Sequence, residues 1–407
     1  MPNPTGKNGS GEKDYPPDDI LRTYFLELAV LPLTVAQKLD RLQSKYGLDI
    51  KKTKFFELQA KLQIPSIKKP QLSRQEIEDV VLGEVAKDVV HANGPRSVKD
   101  TLQDKLIFAP RDHIRTVMRA VAPEGFNLRF PGGRSKWVRR QPLQSIGPFR
   151  EISADGHEKL NSQALKMGSL SLPIYGYRDK WSGMILQLCV LPDARKAAAI
   201  GHVYLDLVSK IGGVPIQVTT DKGSEMGWQI SIQSTFREIY APNVDTDIYP
   251  PVIQMKSFKN IVIESFWRWL HEKRGKNLKE YILFGQREHL FQEHSDDHHK
   301  LFYWIFVPLI QEVLDDFSTY WNQHCIRTQK AKLMPSGHIP RDAVENLDDM
   351  RAVLTEEVGS REENLGWFDT GFAELTERVY NEIGKPQICL ENAWQIFVQM
   401  AAALARA

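Results

Sequence analysis

The stretch 214–225, VPIQVTTDKGSE, decides the fold class of this chain. Its first seven residues form a short run of apolar and β-branched side chains, which is typical of a buried strand. The pattern predicts an apolar-striped helix before it, at 194–211, and a second helix after it, at 222–240. A strand between two helices predicts an α/β layer. Asp221 directly follows the strand, where such folds collect functional side chains.

Three more predicted strands precede this unit, at 150–159, 172–178 and 183–191. The last two flank a short polar turn at 179–182 and therefore predict an antiparallel hairpin. Together with the strand ending at Thr220, they predict a mixed sheet. The chain after this sheet is predicted to be helical, in the stretches 258–272, 301–321, 373–383 and 390–405.

The first 125 residues have a different pattern, which predicts two consecutive three-helix units. Thr34 with Gln37, and Ser73 with Glu76, form capping-box sequences that predict helix starts. Basic helices separated from their predecessors by short turns predict helix-turn-helix DNA-binding units. The predicted helices are 20–30, 34–46, 50–62, 73–88, 96–105 and 110–121.

The net charge of +2 conceals an asymmetry along the chain. Residues 1–150 hold 26 Lys and Arg against 17 Asp and Glu, whereas the remainder holds 27 against 34. Such a basic front half predicts an arm that binds a polyanion, although a solvated basic surface would give the same excess. The candidate DNA-binding residues of this half are Lys51, Lys52, Lys54, Lys61, Arg111, Arg115, Arg134, Arg139 and Arg140.

The composition excludes several classes of protein. With 42% hydrophobic residues, nine Trp and eighteen Phe, the chain can build a large core, so disorder over its whole length is excluded. The longest apolar stretch, 301–310, is about half of what a bilayer requires, so we expect no membrane span. Residues 1–18 contain no apolar segment typical of a secretory signal. Three separate cysteines predict a reducing compartment and no Cys-based zinc site.

Three acidic residues stand where an α/β fold would place a catalytic site. Asp155 lies within the first strand of the sheet, Asp221 follows a buried strand, and Glu264 lies on a helix. Carboxylate oxygens without Cys or several His ligands suit a hard ion such as Mg²⁺ or Mn²⁺. Two such ions can activate an attacking oxygen and stabilise the leaving oxygen of a phosphodiester. On spacing alone, surface carboxylates at strand ends are the favoured interpretation.

Four motifs, taken in order, resemble the catalytic core of the retroviral integrase and DDE transposase superfamily. They are DGHEKL at 155–160, TDKGSE at 220–225, SFKNIVIESFWR at 257–268 and WNQHCIRT at 321–328. The sequence is most similar to the integrase core domain proteins that descend from eukaryotic, especially fungal, DNA transposons. The resemblance spans about 20–345, because the paired helical units also look like the front half of that family.

The resemblance implies a ribonuclease H-like core in which Asp155, Asp221 and Glu264 hold two Mg²⁺ or Mn²⁺ ions. It implies an enzyme that cuts and joins double-stranded DNA as a homo-oligomer, and a nuclear location follows from that substrate. A domesticated, catalytically silent DNA-binding protein and a general nuclease of the same fold remain alternatives. His157, Lys159 and Asn260 are further candidates for DNA contacts, with exposed strand positions, or helix capping and packing, as the competing interpretations.

The sequence also departs from the retroviral pattern. Asp155 and Asp221 are 66 residues apart, and Asp221 and Glu264 are 43 apart, which is longer than the roughly 35 typical of retroviral enzymes. The stretch 241–258 is therefore predicted to be an insertion or an active-site flap. We expect Trp267 and Trp269 to be core residues rather than platforms for base stacking, and Trp321 to lock the C-terminal helices against the core.

These patterns predict an α/β protein with a ribonuclease H-like mixed-sheet core, N-terminal helical units and a C-terminal helical extension. The predicted division is a disordered leader at 1–18, a paired helix-turn-helix region at 19–125, a basic linker at 126–149, a catalytic core at 150–275 and a helical extension at 276–407.

Overall fold

The computed structural model describes residues 15–31, 33–89, 91–123, 125, 145, 147–157, 165–256, 259–323 and 355–406. The chain divides into two compact units. One comprises residues 1–135 with 323–325, and the other comprises 136–322 with 326–407. Each unit is described by itself.

The first unit consists of helices in the part of it that the structure describes, and the six predicted helices are confirmed. They are α1 Asp18–Val30, α2 Val35–Tyr46, α3 Lys52–Lys61, α4 Arg74–Ala86, α5 Pro95–Asp104 and α6 Arg111–Val121. Both predicted capping boxes form: Thr34 and Gln37 exchange bonds at the start of α2, and Ser73 and Glu76 do so at the start of α4. Gly47 ends α2 in the left-handed conformation, with φ of 66°, which glycine adopts without strain.

Each three-helix set has its own apolar core. Residues such as Phe25, Leu42 and Phe55 form the first, and Val81, Leu102 and Ile114 are completely or almost completely buried in the second. The amide of Gln103 connects the two sets by donating to the carbonyl oxygens of Ala29 and Val30 at 3.3 and 2.9 Å. The unit therefore consists of two small helical bundles joined through a polar side chain.

The second unit is built on a five-stranded mixed sheet with the strand order β5-β4-β1-β6-β7. Strands β1, β4 and β5 are antiparallel, whereas β1, β6 and β7 run parallel. The predicted hairpin and the strand before Asp221 are confirmed. Two features escaped sequence analysis: the short β2–β3 hairpin, and β7 within the predicted insertion. The strands are β1 Glu151–His157, β2 Lys166–Met167, β3 Leu170–Ser171, β4 Ile174–Asp179, β5 Ile185–Val190, β6 Gln217–Thr220 and β7 Val252–Gln254.

Helices cover both faces of the sheet. A 3₁₀ turn, Ser224–Met226, precedes α8, and a π-helical turn, His271–Gly275, joins α9 to α10 without a break. The domain boundary drawn at 275/276 therefore falls inside a continuous helical stretch. The helices are α7 Ala197–Ile211, α8 Gly227–Tyr240, α9 Ile261–Leu270, α10 Lys276–Arg287, α11 Asp296–Gln323, α12 Arg361–Leu365, α13 Thr370–Glu382 and α14 Ala393–Leu404.

The alternation of side chains along the strands separates two apolar clusters. Ile152, Ala154 and Val218 face α7 and α8 on one side of the sheet, and Ile174 and Leu188 face the other side. On that second side, α9, α11, α13 and α14 share one cluster with the sheet. The C-terminal helices are therefore part of the same core as the strands.

Two contacts show how closely the C-terminal helices pack. A Cβ atom at Gly285 in α10 would lie 2.2 Å from the ring of Trp394 in α14, so only glycine leaves room for this indole. The indole N–H of Trp394 donates to the carbonyl oxygen of Tyr281 at 2.7 Å. Trp321 is buried as predicted, and its indole N–H donates to the carbonyl oxygen of Gly183 at 2.9 Å.

Replacing Phe397 by Ala should lower the free energy of unfolding of the second unit by about 3 to 5 kcal/mol, because a fully buried ring is removed and its cavity remains. Urea unfolding followed by tryptophan fluorescence measures this. The neighbouring Val398 is 42% exposed, so Val398→Ala is the matched control and should change the free energy little. Equal effects of the two substitutions would contradict a core role for α14.

Candidate functional site

Asp155 lies in β1 and Asp221 follows β6, and these two strands pair in parallel. Glu151 of β1 pairs with Gln217 of β6, and Ser153 pairs with Thr219, so partners differ by 66 positions in the chain. Asp155 and Asp221 are also 66 positions apart, so the offset of the recorded pairs, extended by two residues, brings them to the same level of the sheet. Successive side chains alternate between faces, so this register assigns both residues to the same face.

The face on which they lie is the one covered by α9. Asp155 pairs with Gly176 of β4, and Gly176 pairs with Leu188 of β5, which forms a row across three strands. Leu188 belongs to the same apolar cluster as Ile263 and Trp267 of α9. Asp155 itself is only 3% exposed, so its carboxylate lies in a largely desolvated position beneath the helix.

Two hydrogen bonds attach α9 to β1, one from a residue before Glu264 and one from a residue after it. The side-chain amide of Asn260, four residues earlier, donates to the carbonyl oxygen of Ala154 at 3.0 Å. The indole N–H of Trp267, three residues later, donates to Oδ2 of Asp155 at 3.0 Å. Residues three and four apart share one helix face, so the half-buried Glu264 lies on the side of α9 that faces β1.

A partly buried guanidinium attaches the start of α9 to β4. Arg178 donates to the carbonyl oxygen of Val262, to Oγ of Ser265 at 3.1 Å and to the carbonyl oxygen of Gly183 at 3.1 Å. Burial lowers the pKa of Arg178 to about 10, so the group remains a cation at neutral pH. A permanent positive charge therefore lies close to the carboxylate-bearing turn of α9.

The pKa of Tyr175 depends on its burial and on the charges of both aspartates. Burial raises the pKa of Tyr175 well above its usual value, and the negative charges of Asp155 and Asp221 raise it further. The hydroxyl group donates to Oε1 of Gln229 at 3.0 Å. Tyr175 is therefore neutral at physiological pH and serves as a polar structural element behind the carboxylates.

The donor set has the chemistry that a hard divalent cation requires, since all three candidate ligands offer carboxylate oxygens. In the described part of the chain, no group of three or more His, Cys, Asp or Glu side chains lies close enough together to hold a metal ion. The aspartates are aligned by strand register and the glutamate faces them from α9. The assignment of Asp155, Asp221 and Glu264 as ligands therefore stays a prediction, and so does the metal site.

Residues 159–346 match the family model described as "Integrase core domain". This segment of the chain is therefore similar to an integrase core domain. The matched segment includes Asp221 and Glu264 and begins four residues after Asp155. No curated protein matches the chain. Among the helices that the structure describes, none is both long and apolar enough to cross a membrane.

The other predicted residues of the second unit differ in their location and burial. His157 is the last residue of β1, and Lys159 lies outside the described residues. Asn260 is buried and bonded to Ala154, which agrees with the packing interpretation, while its predicted DNA contact is untested. The core prediction is confirmed for Trp267 and wrong for Trp269, which is 51% exposed because it lies on the outer face of α9.

The basic candidates that the structure describes belong to the first unit. Lys51, Lys52 and Arg111 are exposed, and Lys54 forms an exposed ion pair with Glu57 at 3.1 Å. Such pairs are weak in water, so they leave the charge accessible to a phosphate. Lys61 pairs similarly with Asp18, and Arg115 with Asp112. Three candidates, Arg134, Arg139 and Arg140, lie outside the described residues.

The sequence pattern does not reveal that Trp267 has a polar role, or that Gly176 leaves space for its indole ring. Trp267 was assigned to the core on its apolar character, yet its ring carries one N–H that needs an acceptor when it is buried. A Cβ atom at Gly176 would lie 2.8 Å from both Trp267 Cη2 and Leu188 Cδ2. The available signal was a glycine in the middle of a strand, which often marks the close approach of another group.

Gly176→Ala should lower the free energy of unfolding of the second unit by about 1 to 3 kcal/mol, because its methyl group would overlap Trp267 and Leu188. Urea denaturation is the measurement. Gly227→Ala is the matched control, because no atom lies within 4 Å of the added Cβ. Equal stability of the two variants would show that the indole does not occupy this space.

Proposed function

We propose that the chain is a DDE-type integrase or transposase that cuts and joins DNA phosphodiester bonds. The observation that carries the proposal is the parallel pairing of β1, which contains Asp155, with β6, which Asp221 follows. The helix that bears Glu264 is bonded to Asp155 through Trp267, and residues 159–346 match an integrase core domain. Carboxylates converging at one edge of a mixed sheet are suited to metal-assisted phosphoryl chemistry.

Asp155, Asp221 and Glu264 would hold Mg²⁺ or Mn²⁺, in a two-ion arrangement. Bound there, the ions would activate an attacking oxygen and stabilise the leaving oxygen. The protein's own contribution is to fix the ligands: strand pairing aligns the aspartates, and Asn260 ties α9 to β1. The partly buried Arg178 holds the first turn of α9 and adds positive charge near a site that would receive a polyanion.

The first unit supplies a surface for DNA in this proposal. Its exposed Lys51, Lys52 and Lys54 lie at the start of α3, where their ammonium groups can approach phosphates. Recognition of element ends by the paired helical units, action as a homo-oligomer and a nuclear location belong to the same proposal. They follow from the use of double-stranded DNA as substrate.

A domesticated DNA-binding protein is the second candidate. One observation favours it: in the described residues, the acids do not approach closely enough to form a ready metal cage. In that case the fold and the basic helical unit would be retained for binding, without turnover. Nicking of plasmid DNA distinguishes this candidate from the enzyme.

Asp221→Asn should abolish nicking of supercoiled plasmid in Mn²⁺, because the substitution removes a charged ligand oxygen, while DNA affinity stays equal or rises. Gel analysis of wild type and variant side by side measures this. Asp316→Asn is the matched control, since Asp316 is exposed on α11 away from the sheet edge. Equal nicking by wild type and Asp221→Asn would reject the assignment. Tight DNA binding without nicking by wild type would favour the second candidate.

Replacing Lys51, Lys52 and Lys54 together by Ala should weaken DNA binding. The slope of log affinity against log salt concentration should fall by about one unit for each phosphate that is no longer neutralised by a lysine. Fluorescence anisotropy over a salt series provides the slope. Lys276→Ala, which removes a lysine paired with Glu272 in the second unit, is the control and should leave the slope unchanged. A slope unaffected by the triple substitution would exclude this surface from DNA contact.

A further inference from the structure

We propose that Trp267 is a positioning residue that orients the Asp155 carboxylate for a divalent cation. This inference rests on the proposed function, because it assigns a partner to one of the proposed ligands. The contact itself is a hydrogen bond of 3.0 Å from the indole Nε1–H to Oδ2 of Asp155. Both side chains are buried, with exposed fractions of 2% and 3%.

Because Asp155 is buried, its carboxylate depends on hydrogen bonds such as the one from Trp267. A carboxylate withdrawn from water needs donors, since an unpaired buried charge is strongly unfavourable. The indole ring is a donor without an acceptor atom, so it can hold the carboxylate only through an accepting oxygen. An ionised carboxylate offers about four lone-pair positions, so accepting the indole bond is compatible with coordinating a cation.

The position of the indole is fixed from three directions. Gly176, the strand partner of Asp155, leaves the space that the six-membered ring occupies, because a Cβ there would lie 2.8 Å from Cη2. Phe266 packs beside the indole with ring centroids 5.4 Å apart. Asn260 anchors the same helix to Ala154, the residue before Asp155. These contacts hold the indole in the orientation in which its N–H donates to the carboxylate.

The neutrality of the donor matters for the proposed chemistry. An Arg or Lys partner would orient Asp155 but would also oppose the charge of an incoming Mg²⁺. The indole fixes the plane of the carboxylate without adding a positive charge. Hydrogen-bond partners of metal-binding carboxylates typically change metal affinity or activity about 10- to 100-fold when they are removed.

Trp267→Phe in the full chain tests the proposal, because it keeps an aromatic ring and removes the N–H. We expect the Mn²⁺ concentration for half-maximal nicking to rise about 10- to 100-fold, with activity recovering at high Mn²⁺. The rise in melting temperature that Mn²⁺ causes should shift to higher concentration by the same factor. Trp269→Phe, on the exposed face of the same helix, is the matched control and should behave as wild type.

A second variant covers the case in which Trp267→Phe does not fold. Incorporating β-(3-benzothienyl)alanine at position 267 replaces the N–H by sulfur and keeps the two-ring shape. The same shift in Mn²⁺ dependence is expected. A merely structural role would predict no shift for this variant, and that result would overturn the proposal.

One measurement is independent of activity. The indole N–H resonance of Trp267 in wild type, assigned from its disappearance in Trp267→Phe, should exchange slowly with solvent and shift when Mg²⁺ is added. In Asp155→Ala this resonance should exchange faster with solvent, and an unchanged resonance would show that the bond does not form.

The experiments distinguish failure of this inference from failure of the proposed function. If Asp221→Asn loses nicking while the position-267 variants keep the wild-type Mn²⁺ dependence, Trp267 is not a positioning residue and the proposed function stands. If Mn²⁺ and Mg²⁺ leave wild type unaffected in every assay, both fail.

Discussion

The parallel pairing of β1 with β6 is the constraint on which the candidate site depends. Partners in this pairing are separated by 66 positions, which is the separation of Asp155 and Asp221 in the chain. Because successive side chains alternate between faces, a slip of one residue would send Asp221 to the side occupied by α7 and α8. The apolar residues on both strands oppose such a slip: Ile152 and Val218 pair with each other and face that same cluster. The core therefore sets the register, and the register aligns the acids.

The parts of the fold that were predictable have local signals. Capping residues located the starts of α2 and α4, and the β-branched run before Asp221 located β6. Strand β7 was missed because its three residues, Val252–Gln254, lie in a proline-rich loop and acquire their strand conformation by pairing with β6. A strand this short is specified by its partner rather than by its own pattern, so a single sequence cannot reveal it.

The charged residues of the candidate site could be predicted from the sequence, but their hydrogen-bond partners could not. Asp155, Asp221 and Glu264 could be found because they follow or interrupt regular elements within motifs of a recognisable family. The bond between Trp267 and Asp155 joins residues 112 positions apart, and no periodicity encodes it. The segment Trp267-Arg268-Trp269 illustrates the difficulty, because both indoles have the same apolar character. Rotation of α9 about its axis decides that one is buried and the other half-exposed, and tertiary packing sets this rotation.

The rotation of α9 depends on contacts with α11, on the side of the helix away from the sheet, as well as on contacts with the sheet. The rear of α9 presents Phe266, whose ring lies 5.9 Å from Phe317 and 5.2 Å from Trp321 of α11. On α11, Phe302 and Phe306 pack in turn against Trp394 of α14. Close-packed interiors transmit displacement because few voids are available to absorb it. The position of α9 over the sheet is therefore supported by packing that continues through α11 to α14, more than a hundred residues downstream, although these helices supply none of the predicted ligands.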